Sequence, residues 1–379
     1  MYLKHSVLFK SVLSFLLLFS VNLYSQIAES VDFEQFSKGS FFTRSQWQTA
    51  GFTVPWVNGF DMNRAIVDDA YSKSGSKSLR LFYPKGQFGT ANTGGQAPLM
   101  VPPQDEYFAS YYVRFSEEFS WGTTSEGGKL PGLSGGDRCS GCNTCTGNNG
   151  FTARLMWRKD GKAVVYLYHL NKVNPPCGDN YDIVVDGKTL HFEKGQWYKI
   201  SQRVKVNSGN NNDGEVEMWI NDQHAQIRLY NGSLVDKLSG IQFVSNGDKV
   251  DALYFSTFHG GSSAEWAPVV DSHIWFDDII ISTKLSDVVN GTVTSNIPAI
   301  RNNNNFDISP MPVKQNEIVH VPGVVDDSNV EWMDMMGKVL ANSVVHKGGI
   351  VFVPSINKGV YHIRYVNQKV VVTKRIVVE

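Results

Sequence analysis

The stretch "FTARLMWRKDGKAVVYLYHL", Phe151 to Leu170, decides how this chain is read. As a strand, its first half puts Ala153, Leu155 and Trp157 on one face and Thr152, Arg154, Met156 and Arg158 on the other. A second alternating run follows Lys159-Asp160-Gly161, with Val165, Leu167 and His169 on one side and Val164, Tyr166, Tyr168 and Leu170 on the other. Which faces coincide depends on the parity of the turn. A two-residue Asp160-Gly161 turn would set Tyr166 opposite Leu155 and Arg154 opposite Leu167, mixing polar and apolar groups on both sides. A three-residue Lys159-Asp160-Gly161 loop, with Gly161 in the left-handed region, sets Arg154 opposite Tyr166 and Thr152 opposite Tyr168. The second register segregates polarity. It predicts a hairpin with one apolar core face and one face carrying an arginine, two phenols and a threonine.

The surrounding sequence is β throughout. Short alternating segments recur from Val31 to Ser282: Ser78–Tyr83, Tyr107–Phe115, Thr152–Arg158, Val164–Leu170, Tyr198–Val206, Glu215–Ile220, Ala252–Phe258 and Ile274–Ile281. Many short strands with little helical periodicity predict an all-β, two-sheet jelly-roll sandwich over residues 26–284. The polar stretch 285–305, ending in Arg301-Asn302-Asn303-Asn304-Asn305, reads as a linker, and 306–379 as a small second β-sandwich domain. Residues 1–25 read as an export signal: Lys4 and Lys10 precede and flank the apolar run Val12–Val21, which is too short for the ~20 residues a membrane span needs. The protein is therefore expected outside the cell or attached to its surface, with no membrane span after cleavage.

The net charge of −1 argues against nucleic acid as a partner, so any binding charge is local. Twenty-two Phe, 15 Tyr and 9 Trp supply rings of the kind that stack on sugar faces. In an exported chain, Cys139, Cys142, Cys145 and Cys177 are expected to form two disulfides, whose pairing the sequence leaves open. Just before them lies "EGGKLPGLSGGDRC", Glu126 to Cys139. This reads as a glycine-rich loop curving over the sheet, stiffened by Pro131 and delivering Lys129 onto the tyrosine face.

Taken in order, G-G-K-L-P-G-L, T-A-R-L-M-W-R-K-D-G, Y-L-Y, "GQWYKISQRVKVN", "DGEVEMWIND" and "FSTFHGGS" resemble polysaccharide lyase family 14, the jelly-roll alginate and polyglucuronate lyases. The resemblance spans Tyr107 to Ser282. It implies catalytic roles for Lys129, Arg154, Tyr166 and Tyr168, and substrate contacts from Thr152 (often serine in the family), Arg158 and His259. The tail carries Pro310-Met311-Pro312-Val313, Asp334-Met335-Met336-Gly337-Lys338, Lys358-Gly359-Val360-Tyr361 and Lys374-Arg375-Ile376-Val377-Val378. It resembles the C-terminal sorting domain read by the type IX secretion system of Bacteroidetes, which implies an address removed on export.

A polyuronate lyase must neutralise a carboxylate, remove the neighbouring C5 proton and protonate the leaving 4-oxygen. Arg154 suits the first task, because a guanidinium grips a carboxylate with two hydrogen bonds. Tyr166 is the favoured base and acid, while Lys129 is either the base itself or a fixed cation. The expected activity is endo-acting β-elimination by a monomer on an acidic polysaccharide, alginate or polyglucuronate. No metal or redox cofactor is expected, with a structural Ca2+ left open. Two alternatives stand beside this one. The first is a non-catalytic carbohydrate-binding jelly roll. The second is a glycoside hydrolase, whose best carboxylate pair is Glu215 and Glu217.

Overall fold

The computed structural model describes residues 28–289, 312–320, 328–334, 339–345, 350–366 and 371–379. The expected export signal, most of the expected linker, Pro310-Met311 and Met335–Lys338 lie outside the described residues. The chain divides into two compact units, Met1–Thr292 and Val293–Glu379.

The principal strands of the first unit are β1 (Ser78–Tyr83), β2 (Gly95–Gln104), β3 (Glu106–Phe115), β4 (Gly127–Gly135), β5 (Phe151–Arg158), β6 (Ala163–Tyr168), β7 (Asp179–Val185), β8 (Trp197–Lys205), β9 (Gly214–Ile220), β10 (Gln223–Arg228), β11 (Val250–His259) and β12 (Ser272–Ser282). They form two antiparallel layers. One runs β1-β12-β3-β8-β9. The other runs β2-β11-β4-β5-β6-β7-β10. Because β10 also pairs with β9, it joins the two layers at one side, as in the expected jelly-roll sandwich. Trp47, Phe60, Phe115, Phe119, Trp157, Phe255 and Phe276 fill the space between layers. They meet mostly edge to face, the geometry that ring quadrupoles favour.

The β5–β6 hairpin has the polarity-segregating register. Arg154 pairs with Tyr166 and Thr152 with Tyr168. The Arg158 N–H donates to the Lys162 carbonyl at 2.8 Å, leaving Lys159-Asp160-Gly161 as a three-residue loop. Gly161 takes φ 75°, and Asp160 also turns left-handed at φ 54°. Ala153, Leu155, Trp157, Val165 and Leu167 all enter the core.

Two expectations are corrected. The glycine-rich stretch is not a loop over the sheet but β4, a strand within it, between β11 and β5. Its glycines are a steric requirement of that position. A Cβ on Gly128 would lie 2.0 Å from the Trp157 ring, and one on Gly132 would lie 2.1 Å from the Ala153 carbonyl oxygen. Pro131, which cannot donate to a ladder, falls where the register shifts between Leu130 and Leu133. The second correction concerns residue 285. There the chain forms a helical turn, Leu285–Val288, instead of opening into linker. Val288 and Val289 are buried against Phe108 and Trp219, covering apolar surface that the strand residues would otherwise leave in water.

In the second unit, Ile318–His320 pairs with Ile350–Phe352, and Val339–Val345, Ser328–Met333, Gly359–Val366 and Val371–Val378 form a four-stranded antiparallel sheet. Val319 and Val351 from the pair pack with Val330, Trp332, Ile363 and Ile376 from the sheet. Among the described residues, no helix is long and apolar enough to cross a membrane.

Candidate active site

Alternation along β11, β5 and β6 turns Tyr254, Ser256 and Phe258, then Thr152, Arg154, Met156 and Arg158, then Tyr166 and Tyr168 away from the sandwich core. Between β11 and β5 runs β4, carrying Lys129, which stands opposite Phe258 on one side and Met156 on the other. The Lys129 ammonium lies 4.9 Å from the centre of the Tyr166 ring and 5.6 Å from that of Phe258. The Arg158 guanidinium is 5.7 Å from the same ring centre. The expected convergence of lysine, arginines and phenols is therefore present, although the lysine comes from a neighbouring strand.

Arg154 is 3% exposed. Its Nη1 donates to Ser256 Oγ at 3.1 Å, and its guanidinium sits 5.3 Å from the Tyr254 ring centre. To reach Ser256 it must cross β4, and it does so where that strand carries Gly132, without a side chain in the way. The Gln96 amide donates to both Tyr254 Oη (2.9 Å) and Ser256 Oγ (2.8 Å), so Arg154, Ser256, Gln96 and Tyr254 form one buried polar network. Arg154 Nε has no hydrogen-bond partner among the described residues. Beyond Tyr254, 6.0 Å from its ring, lies Trp56, 41% exposed. Its segment is tied to β2 by bridges Thr53–Met100 and Asn58–Gln96.

The two phenol oxygens are 3.0 Å apart. Both rings are buried, but not in the sandwich interior. They belong to a separate cluster with Met156, Val164, Cys139 and Cys145, on the outer face of the sheet. The cover is a strap, residues 136–150, closed by disulfides Cys139–Cys145 and Cys142–Cys177. The Cys142 N–H donates to Tyr168 Oη at 2.8 Å, and the Gly178 N–H to Tyr166 Oη at 3.3 Å. Lys172 Nζ lies 4.8 Å from the Tyr168 ring centre.

These surroundings shift the titrations. Burial, with the positive charges of Arg154 and Arg158 behind it, holds the Lys129 amine well below the ordinary lysine range. Burial, then the neighbouring Tyr166, pushes the Tyr168 phenol above its usual value. Burial alone lowers Arg158. Lys129, Arg154 and Arg158 share a further feature. Among the described residues, none has a carboxylate within ion-pairing distance, although Arg138, Lys162, Lys199 and Arg203 each do.

Two expected substrate contacts stand elsewhere. His259 is fully buried behind the sheet, stacked on Phe119 and edge-on to Trp157 and Tyr83, with Nδ1 on the Trp266 carbonyl. Burial lowers its pKa to about 4, so it is a neutral core residue. Its place at the end of β11 fixes this, because it follows Phe258 and so faces the opposite side. Thr152 is also fully buried, and its hydroxyl donates to the Cys139 carbonyl at 3.2 Å, supporting the strap. Arg158 keeps a site position, and its guanidinium donates to Asn180 Oδ1.

Sequence reading missed Gln96, Tyr254, Ser256 and Asn180. The alternation Ala252-Tyr254-Ser256-Phe258 carried the signal for two of them, but Gln96 lies in a stretch where Pro98 disguises the strand. The hydrolase pair is disposed of by geometry. Glu215 and Glu217 both ion-pair with Arg203 in the other layer, away from the cluster of Lys129, the arginines and the phenols, and their partners outweigh burial in lowering both pKa values. Among the described residues, no group of three or more His, Cys, Asp or Glu is arranged to hold a metal ion.

Comparison with known proteins gives a coherent picture. The family model for polysaccharide lyase 14 matches residues 71–279, more than half of the 379-residue chain. Among solved structures, the PL-14 alginate lyase from Aplysia kurodai is 25% identical with a TM-score of 0.53, covering 66% of this chain and 97% of that one. Alginate lyase Aly36B is 24% identical with a TM-score of 0.53, covering 68% and 97%. A double variant of Aly36B has been solved with an alginate tetrasaccharide. No curated protein matches the chain.

Proposed function

Because this chain belongs to polysaccharide lyase family 14, we propose that it depolymerises alginate outside the cell, cutting within the chain by β-elimination. The observation that carries the reading is the two guanidiniums, Arg154 and Arg158, which have no carboxylate within ion-pairing distance among the described residues and stand with Lys129 around two phenols. A uronate carboxylate supplies the missing charge. Alginate is preferred over other polyuronates because the similar solved enzymes are alginate lyases.

The chemistry then divides among the groups. Arg154, whose guanidinium keeps an unpartnered Nε, neutralises the carboxylate and so acidifies C5–H. Lys129, whose pKa burial and its two arginine neighbours hold well below the ordinary lysine range, takes the C5 proton on Nζ. The electron pair left at C5 forms the C4–C5 double bond as the C4–O bond breaks. The Tyr166–Tyr168 pair, with Tyr168 held in its protonated form, delivers a proton to the departing oxygen. This division makes the lysine the base and a phenol the acid, in place of a tyrosine doing both.

The test is to incubate the protein with mannuronate-rich alginate, guluronate-rich alginate and polyglucuronate, following the ultraviolet absorbance of the new double bond. Lys129→Ala and Tyr166→Phe should abolish it. New reducing ends without that absorbance would indicate hydrolysis and defeat the proposal. For the second unit we propose the sorting role its tail motifs suggest. Deleting residues 306–379 should then block release from a host that carries a type IX system, and unaltered release would refute it.

A further inference from the structure

One disulfide ties together the backbone donors to both phenols. Cys142, whose N–H donates to Tyr168, is bonded to Cys177, and the next residue, Gly178, donates its N–H to Tyr166. The two donors come from irregular segments, the strap and the turn between β6 and β7, and the bridge joins cysteines 35 positions apart. The other bridge closes six positions within the strap. Gly178 approaches so closely that a Cβ there would lie 2.8 Å from the Tyr168 ring and 2.9 Å from the Tyr166 ring. Backbone, not side chains, roofs the pair.

We propose that the Cys142–Cys177 disulfide is a positioning element of the active site: it clamps strap and turn over the tyrosine pair, keeping each phenol oxygen on a backbone N–H and out of water. The role in turnover rests on the lyase reading above. With an acceptor position on each oxygen occupied, and the phenols bonded to each other, the remaining O–H has a restricted direction. The titratable and charged groups facing the pair are Lys129 from β4, Arg154 and Arg158 from β5, and Lys172 from the turn. Burial is the main reason Tyr168 holds its proton, and it outweighs the Cys142 N–H and Arg154, which pull the other way. Opening the clamp admits water, so the Tyr168 phenol loses its proton at lower pH. Lys129, Arg154 and Arg158 sit on strands and keep their places without it.

The experiment compares the full chain with Cys142→Ser/Cys177→Ser and, as a control, Cys139→Ser/Cys145→Ser. Tyrosinate absorbance is titrated without substrate, and the Tyr166→Phe/Tyr168→Phe protein supplies the background. The expected result is a downward shift of the Tyr168 titration by about one pH unit in the first variant and clearly less in the control. On alginate, the alkaline limb of kcat should follow that shift and kcat should fall at least about tenfold, with KM changed far less. If the first variant does not fold, the native protein is treated with a thiol reductant. Alkylation and mass measurement then identify the opened bridge, and the same titration is made. An unmoved titration, or equal shifts in both variants, overturns the proposal. A protein inactive on every polyuronate would defeat the lyase reading alone, since the titration needs no substrate.

Discussion

Arg158→Gln tests the claim that Lys129, whose pKa burial and the neighbouring arginines hold down, is the base. Lys129 Nζ lies 4.9 Å from the Tyr166 ring centre and the Arg158 guanidinium 5.7 Å, so the two charges are at most about 11 Å apart. With an effective dielectric constant of about 20, their repulsion at that separation is about 1.5 kcal/mol, or about one pH unit. Below its pKa the amine is an ammonium and takes no proton, so the rate falls as pH drops through that value. Removing a neighbouring positive charge raises the value. The acid limb of kcat/KM, which reports the free enzyme, should therefore move up by about one unit in Arg158→Gln. Glutamine retains an amide to meet Asn180, which limits collateral change. The assay is the initial rate of double-bond absorbance across the acid limb, with alginate below KM. In the unaltered protein, the limb on kcat should lie above that on kcat/KM, because a bound carboxylate favours the ammonium. A limb that stays put in Arg158→Gln, or moves down, refutes the assignment of Lys129 as the base.

Other substitutions probe the remaining parts. Lys129→Met should lower kcat by about 10²–10⁴-fold, yet raise Tm by about 2–4 °C in a melting experiment, because an amine without a carboxylate partner is replaced by an apolar chain of similar length. Gly132→Ala should cost about 3 kcal/mol by denaturant unfolding, since its Cβ would lie 2.1 Å from the Ala153 oxygen and 2.6 Å from the Arg154 Cα, backbone atoms that cannot swing aside. Trp56→Ala should raise KM for long alginate chains by about 2–10-fold while leaving turnover of short oligomers unchanged, which product-length analysis would check.

The elements read correctly from sequence were those in which period-2 alternation and turn chemistry agreed. In the β5–β6 hairpin, one glycine and the parity of a three-residue loop sufficed to place Arg154 beside Tyr166. Where strand residues are unusual, alternation fails as a signal. The β2 strand carries Pro98, Pro102 and Pro103, and β4 carries Gly127, Gly128, Gly132 and Gly135 with Pro131, so both resemble loops by propensity. Their glycines answer to neighbours far along the chain, such as the Trp157 ring over Gly128, and no local rule contains that neighbour. The same limit hid the roof of the site. Four cysteines imply two bridges, but which two depends on how the strap folds back over Tyr168.

Charge is where sequence and structure diverge most. A net charge of −1 describes a nearly neutral chain, and carboxylates are plentiful enough to pair every base. Of the basic side chains that are almost fully buried, Arg114 has Glu117 at 2.5 Å and Lys199 has Asp222 at 2.7 Å. Arg154, at 3% exposed, has a serine hydroxyl and a tyrosine ring instead, and the nearby Arg158 adds positive charge. A buried guanidinium without a carboxylate costs stability that a structural role would not require. The cost becomes intelligible if an anion from outside completes the site, because the arginine charges that add to burial in lowering the Lys129 pKa also attract a uronate carboxylate. Placing an acidic side chain beside Arg154, as in Ser256→Asp, would satisfy the guanidinium from within. The protein should then become more stable and bind alginate at least about tenfold more weakly, a loss of about 1.4 kcal/mol in binding. If calorimetry found alginate binding undiminished in that variant, the missing charge would not be what the polysaccharide supplies.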